Sequence, residues 1–168
     1  MILNAEQIME QGLILLDNAY GKPAQVGYDL SIKEVNKVGG SIGKVLVDKT
    51  ELNTHTPIKK IDLDGKTGFL LYAGVYDVIM NEGCDIHSNR VGLVRQRSSL
   101  MRNGAIITSS IFDPGFKTDN VGTYMIVFET IFIEENARIA QMYFHECEPV
   151  AKDQLYNGQW QNDNWRNR

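Results

Sequence analysis

The segment RSSLMRNG at residues 97–104 concentrates side chains that could do chemistry. If a helix begins at Ser98, then Ser98 and Arg102 stand four residues apart and share one helix face. A hydroxyl, backbone amides and guanidinium groups that converge on one spot can hold an oxyanion or a phosphate. A capped helix with solvated arginines has the same spacing, so the segment indicates a candidate anion site and leaves that alternative open.

Two carboxylates are candidates for acid–base work. Asp113 begins the turn DPGF, where it would hold a sugar hydroxyl or a water, although the motif is also an ordinary turn between strands. Glu129 lies in TYMIVFETIFI, whose alternation predicts a buried strand that is apolar on both faces. A carboxylate there needs an arginine or has its pKa raised, and both environments are typical of a general base. A structural ion pair, or a bulge that turns Glu129 outward, is the alternative.

The elements that position these residues are predicted to be mainly strands. Asn4 and Gln7 form a capping box for a first helix that ends at Gly12, and a second short helix ends at Gly104. Residues 36–66 are predicted to form a polar hairpin or excursion. Short apolar segments cut by turn residues predict an all-β sandwich or barrel with short helices rather than a βαβ alternation. These segments are QVGYDLSI, GKVLV, GFLLYAGVYDVIM, VGLV, AIITSSIF, YMIVFETIFI and ARIAQMYF.

Length and composition narrow the class of protein. The 168 residues fit one domain over residues 1–168, and no apolar run reaches the length of a membrane span. The first residues lack the pattern of a secretion signal, and Cys84 and Cys147 cannot form a disulfide framework. The formal charge of −4 argues against a dedicated duplex-DNA binder. We therefore expect a cytoplasmic protein without a membrane or nucleic-acid partner.

Several common catalytic motifs are absent from the sequence. GGSIGK fails the spacing of a P-loop, and Val45 stands where that motif requires a hydroxyl. His55, His87 and His145 are scattered without ligand spacing, and no segment matches the HxE…PCxxC signature of the zinc deaminases. The sequence therefore predicts no zinc site.

Motifs in a fixed order give the strongest functional signal. GYDL at 27–30, RSSLMRNG at 97–104, DPGF at 113–116 and RIAQMYF at 138–144 resemble, in that order, motifs of the dCTP deaminase/dUTPase superfamily. The opening MILNAEQI, Arg102 and LYNGQ at 155–159 resemble the deaminase branch, and the glycine-rich fifth motif of dUTPases is absent from the sequence. The resemblance is therefore closest to that branch.

The resemblance implies a distorted β-barrel or double-sheet protein of the dUTPase-like type, assembled as a homotrimer. A pyrimidine deoxynucleoside triphosphate would bind between subunits, with Mg²⁺ held through the substrate phosphates rather than by a protein cage. Residues 155–168 would form a tail that closes over the ligand. The implied substrate-binding residues are Arg97, Ser98, Ser99, Arg102, Thr108, Asp113, Tyr156 and Gln159.

The deaminase branch implies hydrolytic deamination of dCTP to dUTP, with further hydrolysis to dUMP in some members. Glu129 would deprotonate the water that attacks C4 of cytosine, while Ser98 and Arg102 would polarise that water. An ungapped count from Asp113 instead places Gly122 or Thr123 at the catalytic position of the family.

Two other functions stay open at this stage. In a dUTP diphosphatase, Asp113 would orient water onto the α-phosphate, and dUMP and pyrophosphate would be the products. In an inactive nucleotide-sensing homologue, the pocket would be kept and the base lost.

Overall fold

Helix α1 (Ala5–Glu10) begins with the predicted capping box. The side chain of Asn4 accepts a hydrogen bond from the Gln7 amide at 2.9 Å, and Gln7 Oε1 accepts one from the Asn4 amide at 3.0 Å. Helix α2 (Ser98–Arg102) ends before Gly104, whose φ of +77° favours glycine. Both short helices therefore lie where the sequence predicts them.

The computed structural model describes residues 1–16, 20–108 and 110–163. Residues 164–168 of the predicted tail, and Ser109 in AIITSSIF, lie outside the described residues. Strands are the main regular elements of the described residues, which also include 3₁₀ turns at Lys152–Gln154 and Gln161–Asp163. The strands are β1 (Ile14–Leu15), β2 (Lys22–Pro23), β3 (Tyr28–Val38), β4 (Lys44–Val45), β5 (Thr50–Glu51), β6 (His55–Pro57), β7 (Ile61–Leu63), β8 (Lys66–Leu71), β9 (Gly74–Met80), β10 (Gly83–Asp85), β11 (Arg90–Gln96), β12 (Ala105–Thr108), β13 (Lys117–Thr118), β14 (Gly122–Val127), β15 (Ile131–Glu134) and β16 (Arg138–Glu146).

The main sheet has the strand order β11-β16-β3-β9-β14-β12, and every neighbouring pair is antiparallel. Strands β2 and β6 also pair with β3. The edge strands β11 and β12 contact each other, so the sheet is nearly closed like a barrel. Smaller sheets join β1-β10-β13, β15-β8-β7 and β4-β5. The prediction of a mainly β, barrel-like fold with short helices is confirmed.

Strand β3 is the centre of this sheet and carries a bulge. Its first half pairs with β16 and its second half with β9. Between Ile32 and Glu34 the strand advances two residues while β9 advances one, so Lys33 is the extra residue. Ile32 and Val35 both face the core, although their odd spacing would put them on opposite faces of a regular strand.

The core lies on one face of the main sheet. In β9, Tyr76, Val78 and Met80 point into it, while Asp77 and Ile79 lie on the opposite face, which we call the outer face. Strand β14 alternates in the same way, with Met125 and Val127 inside. Other fully buried core residues are Leu3, Ile8, Leu13, Leu30, Ile32, Phe69, Leu71, Ile86 and Phe144.

The predicted buried strand through Glu129 is wrong. Strand β14 ends at Val127, the chain bends at Phe128 and Glu129, and β15 then joins a different sheet by pairing with β8. The amide of Phe128 donates to the carbonyl of Gly104 at 2.8 Å, and Glu129 is exposed. The chain therefore turns Glu129 outward, as the alternative allowed.

Residues 36–66 form the expected polar excursion. The β4–β5 hairpin is almost entirely exposed, and Ile42, Val45 and Val47 are open to solvent on it. Within the described ranges no helix is long and apolar enough to cross a membrane.

Candidate functional site

A cavity of about 570 Å³ lies beside the outer face of β9, β14 and β12. The DPGF turn and the C-terminal segment form its other walls, and Leu52 from the polar excursion also lines it. A volume of this size is ordinary for a site that holds a small molecule. Three of the residues predicted to bind substrate, Thr108, Asp113 and Tyr156, line this cavity together.

The DPGF turn is held in one conformation. The amide of Phe116 donates to the Asp113 carbonyl at 3.0 Å, and Gly115 has a φ of +90°. A Cβ atom at Gly115 would lie 2.8 Å from the Cβ of Leu155, so the C-terminal segment approaches too closely for any side chain there. Asp113 is thus fixed at the start of a turn whose other side is covered by the C-terminal segment.

The C-terminal segment is bound to that turn by several hydrogen bonds. The amide of Tyr156 donates to the carbonyl of Pro114 at 2.8 Å. Gln161 Nε2 donates to the Gly115 carbonyl at 2.8 Å, and its Oε1 accepts from the Lys117 amide at 2.9 Å. The segment therefore borders the cavity, and its closure over a ligand stays a prediction.

Aromatic rings complete this wall of the cavity. The rings of Phe116 and Tyr156 meet edge-to-face with centroids 5.4 Å apart, and both residues line the cavity with Trp160. Gln159 is exposed and is not among the described residues that line the cavity. Its predicted contact with substrate therefore stays a prediction.

A row of polar side chains crosses the outer face of the sheet. Thr108, Tyr124, Asp77 and Asn36 stand directly opposite one another on β12, β14, β9 and β3. Directly opposed residues of antiparallel strands share a face, with Cβ atoms roughly 5 Å apart. The first three residues of this polar row line the cavity, and Asn36 Nδ2 donates to Asp77 Oδ2 at 3.4 Å.

Sequence reasoning missed Asp77, Tyr124 and Asn36. Asp77 is only 3% exposed and lies in the apolar strand GVYDVIM. The criterion applied to Glu129, a carboxylate inside an apolar strand, holds for Asp77 and would have found it. Tyr124 is also held in place, because its hydroxyl lies 3.2 Å from Nε2 of His55.

The ungapped count from Asp113 leads to the same cavity. Gly122 and Thr123 both line it, and Thr123 Oγ1 donates to the Thr108 carbonyl at 2.6 Å. The search for a glutamate instead gave Glu129 as the candidate base. Glu129 is exposed and is not among the described residues that line the cavity. Of the two residues at the counted position, Thr123 is buried and holds the neighbouring strand, and Gly122 has no side chain that could act as a base.

A second polar group joins three of the sequence motifs. Asp29 from GYDL lies 3.3 Å from Nε of Arg97 and 3.2 Å from Nη1 of Arg138. These arginines belong to RSSL and RIAQ, and Arg97 also donates to the Arg138 carbonyl at 3.2 Å. With two guanidiniums and one carboxylate, this Asp29 cluster has an excess of positive charge that suits an anion.

Burial of the Tyr28 ring raises the pKa of its hydroxyl, and the carboxylates of Glu82 and Asp29 raise it further. The hydroxyl beside the Asp29 cluster is therefore neutral at physiological pH.

The remaining predicted residues lie around α2. Ser98, Ser99 and Arg102 are exposed, and none of them is among the described residues of the cavity wall. Glu129 packs beside the end of the same helix, because a Cβ atom at Gly104 would lie 2.9 Å from the Glu129 Cβ. Within one chain, the predicted site residues therefore form two separate groups. The cavity group is Thr108, Asp113 and Tyr156, and the α2 group is Ser98, Ser99, Arg102 and Glu129.

Over the described part of the chain, no set of three or more His, Cys, Asp or Glu side chains could hold a metal ion. The cavity brings two acidic residues, Asp77 and Asp113, to its wall.

A nearly closed antiparallel sheet with a cavity for a small molecule defines the structural class. Residues 4–147 match the model of a family described as dCTP deaminase-like. The chain belongs to this family, within the dCTP deaminase/dUTPase superfamily of hydrolases, and the predicted resemblance to that superfamily is confirmed.

Relatives of known name are similar over most of the chain. The probable deoxyuridine 5'-triphosphate nucleotidohydrolase of Methanosarcina mazei is 32% identical over 155 residues, which cover 89% of this chain and 88% of the relative. The deoxyuridine 5'-triphosphate nucleotidohydrolase of Methanocaldococcus jannaschii is 32% identical over 136 residues, or 80% and 86% of the two chains.

The fold is similar to a solved structure. The crystal structure of 2'-deoxycytidine 5'-triphosphate deaminase from Agrobacterium tumefaciens matches with a TM-score of 0.63 and 13% identity. The match covers 90% of this chain but 50% of that chain, so this protein spans about half the length of the deaminase. At this identity the similarity establishes the fold alone.

Proposed function

We propose that the protein hydrolyses dUTP to dUMP and pyrophosphate. The observation that carries the proposal is the position of the two candidate carboxylates. Both side chains are exposed, but Asp113 is among the described residues that line the cavity, whereas Glu129, the candidate base for deamination, is not. The names of the relatives at about 30% identity support the same reaction.

In this reaction Asp113 accepts a hydrogen bond from a water molecule and orients it toward the α-phosphorus. The water oxygen forms a bond to phosphorus, the bond to the bridging oxygen breaks, and pyrophosphate leaves with those electrons. Asp113 takes the proton of the water as general base. The DPGF turn fixes the backbone of Asp113 beside the cavity before substrate binds, which favours the reaction.

The triphosphate requires positive charge, which the Asp29 cluster and α2 provide. Arg97 and Arg138 share a single carboxylate, so they keep an excess positive charge for phosphate oxygens. Ser98, Ser99 and Arg102 add a hydroxyl, amides and a guanidinium. Mg²⁺ would come with the substrate through its phosphate oxygens, and it would supply further positive charge for the pyrophosphate.

A homotrimer would unite the two groups of residues. The cavity and α2 are separate groups within one chain, and a site that needs both can be completed by α2 of a neighbouring subunit. Mass measurement in solution, by light scattering coupled to size-exclusion chromatography, tests this assembly. A monomer that hydrolyses dUTP at the full rate would refute it.

Deamination of dCTP is the second candidate. Glu129 packs beside Gly104 at the end of the helix that carries Ser98 and Arg102, so a base and its polarising groups share one region. There Glu129 would take a proton from water as the water attacks C4, and would later give protons to the leaving ammonia.

Product analysis tests both functions. The protein is incubated with dUTP and, separately, with dCTP, each with Mg²⁺, and the products are separated by anion-exchange chromatography. We expect dUMP and pyrophosphate from dUTP, and unchanged dCTP. Formation of dUTP and ammonia from dCTP would favour the second candidate, and dUMP from dCTP would mean that one protein performs both steps. Binding without turnover of either nucleotide would identify an inactive nucleotide sensor.

A further inference from the structure

We propose that a second cavity of the protein binds a neutral sugar through two adjacent hydroxyl groups. This cavity has a volume of about 530 Å³ and shares no described lining residue with the first cavity. The turn between β13 and β14 separates the two, because Thr118 lines the first cavity and Asn120 lines the second. Every described residue of the second wall carries a polar or charged group, so the ligand that fits it is polar as well.

Two asparagine side chains in this wall are joined to each other. Asn81 Nδ2 donates to Asn136 Oδ1 at 3.1 Å. The same nitrogen donates to Ser31 Oγ at 2.9 Å and to the carbonyl of Ile32 at 3.4 Å. Among the described residues no partner is found for the opposite ends of the two amides, Asn81 Oδ1 and Asn136 Nδ2. The pair therefore brings one acceptor and one donor, side by side, to the same cavity.

The acceptor of this pair belongs to a residue that is only 9% exposed. A buried acceptor without a donor is unfavourable, and a ligand that supplies the donor removes that cost. A hydroxyl group can both donate and accept a hydrogen bond. One hydroxyl of a sugar can therefore donate to Asn81 Oδ1 while the hydroxyl on the next ring carbon accepts from Asn136 Nδ2.

Lys33 brings further N–H donors to the cavity. It is the extra residue of the bulge in β3, and a bulge can turn a side chain away from the regular alternation of its strand. Its Nζ donates to Asn120 Oδ1 at 3.1 Å, while Asn120 Nδ2 is held by the carbonyls of Met80 and Asn81. None of the described ion pairs includes Lys33. The ammonium group has more N–H donors than this bond uses, so it can also donate to a sugar oxygen.

The charges of the cavity wall balance, which favours a neutral ligand. Lys60 Nζ lies 2.6 Å from Glu135 Oε2. The charge of Lys33 is matched in number by that of Asp119, the other acidic residue of the described wall. Tyr20 adds an exposed aromatic ring, whose apolar face can cover the C–H groups of a sugar. A phosphate group would instead leave an excess of negative charge in the cavity.

The first test uses wild-type protein alone. Protein labelled with ¹⁵N is titrated separately with methyl ribofuranoside, methyl glucopyranoside and the 2-deoxy analogue of the ribofuranoside, which has no adjacent pair of hydroxyls. We expect at least one of the two sugars with adjacent hydroxyls to shift the side-chain amide signals of Asn81 and Asn136. If methyl ribofuranoside binds, its affinity should exceed that of the 2-deoxy analogue at least about tenfold, because a hydrogen bond is lost and a buried acceptor stays unpaired.

Three results of this titration would overturn the inference. They are failure of both sugars to bind, binding that leaves the two asparagine signals unchanged, and equal affinity for methyl ribofuranoside and its 2-deoxy analogue. Tighter binding of ribose 5-phosphate than of methyl ribofuranoside would also contradict it, because the ligand would then be an anion.

The second test changes the wall of the cavity. Lys33→Met should weaken sugar binding about tenfold, since a charged donor is lost, and Asn136→Gly should weaken it about fivefold through the loss of a neutral donor. Glycine keeps the backbone of residue 136, whose φ is +62°. Lys37→Met is the matched control, because Lys37 is an exposed lysine of the same strand outside the described wall.

The backbone amide spectrum shows whether each variant is folded. Wild-type affinity in both folded cavity variants would refute the inference. Both tests measure binding at the second cavity without dUTP, so their outcome is independent of the proposed hydrolysis.

Discussion

The backbone amide of Tyr156 donates to the carbonyl of Pro114 at 2.8 Å, which joins the C-terminal segment to the turn that begins with Asp113. Two parts of the chain that are far apart in sequence therefore share one wall of the cavity. Because Asp113 lies next to this contact, the position of a candidate general base depends on residues more than forty positions later. The predictions below use this geometry and that of the α2 group.

Asp113→Asn should lower kcat for dUTP by about 10²-fold or more, because it keeps the shape of the side chain and removes the base. The variant should still bind dUTP, which the ligand-induced change in melting temperature will show. Glu129→Gln is the comparison, and it should hydrolyse dUTP at nearly the wild-type rate. The opposite result, with Glu129→Gln inactive and ammonia release from dCTP lost, would favour the deaminase.

Arg102→Ala should reduce turnover on the order of 10²-fold while leaving the melting temperature nearly unchanged. Arg102 is exposed at the end of α2, so its removal costs little packing, whereas the lost positive charge weakens binding of the transition state. Arg95→Ala provides a control, since Arg95 is an exposed arginine of β11 outside both groups. If Arg102→Ala hydrolysed dUTP at the wild-type rate, we would conclude that α2 is a solvated helix without a role in the reaction.

Asp29→Asn should lower the free energy of unfolding by about 1–3 kcal/mol. The buried carboxylate keeps Arg97 and Arg138 together, and without its charge the two guanidiniums repel each other. The midpoint of urea denaturation measures the effect, with the exposed Asp48→Asn as control. If the two variants had equal midpoints, the ion pairs of Asp29 would be unimportant for stability.

Gln161→Ala should raise KM for dUTP several-fold with a smaller change in kcat. The substitution removes the side-chain bonds to Gly115 and Lys117 that fix the C-terminal segment, each worth about 1 kcal/mol. Gln154→Ala removes an exposed glutamine of the same segment and should behave like wild type. An unchanged KM in Gln161→Ala would mean that the segment covers the cavity without contributing to binding.

The fold could be predicted where the signals are local. Alternation, turn residues and the capping box at Asn4 determine the short elements, and the ordered motifs identified the superfamily. The end of β14 could not be predicted, since it depends on the bond between Phe128 and Gly104 and on β15 joining another sheet. Both are long-range contacts. The period-two alternation of apolar residues continues through Glu129, so this local pattern does not show where the strand ends.

Only part of the candidate site could be predicted from the sequence, because the rest also depends on long-range contacts. Thr108, Asp113 and Tyr156 were placed by motif, and the structure brings them to one cavity. Asp77 lies in GFLLYAGVYDV, a segment that resembles a strand of the superfamily but was given no role in the site, and it reaches the cavity through its strand register. Which face of β9 borders the cavity is decided by the polar excursion and the C-terminal segment, which carry no local signal for it.

The bulge at Lys33 determines which residues of β3 can serve the outer face. Asp29 and Asn36 are an odd number of positions apart, so a regular strand would place one of them in the core. The extra residue, Lys33, reverses the direction in which side chains point in the second half of β3. Asp29 and Asn36 therefore lie on the same face of the sheet. The chain should therefore tolerate changes of length in the exposed β4–β5 hairpin. Loss of Lys33 would leave Asp29 and Asn36 six positions apart, on one face of a regular strand, whereas straightening the bulge at unchanged length would exchange Val35 with Asn36 and put an amide into the apolar interior.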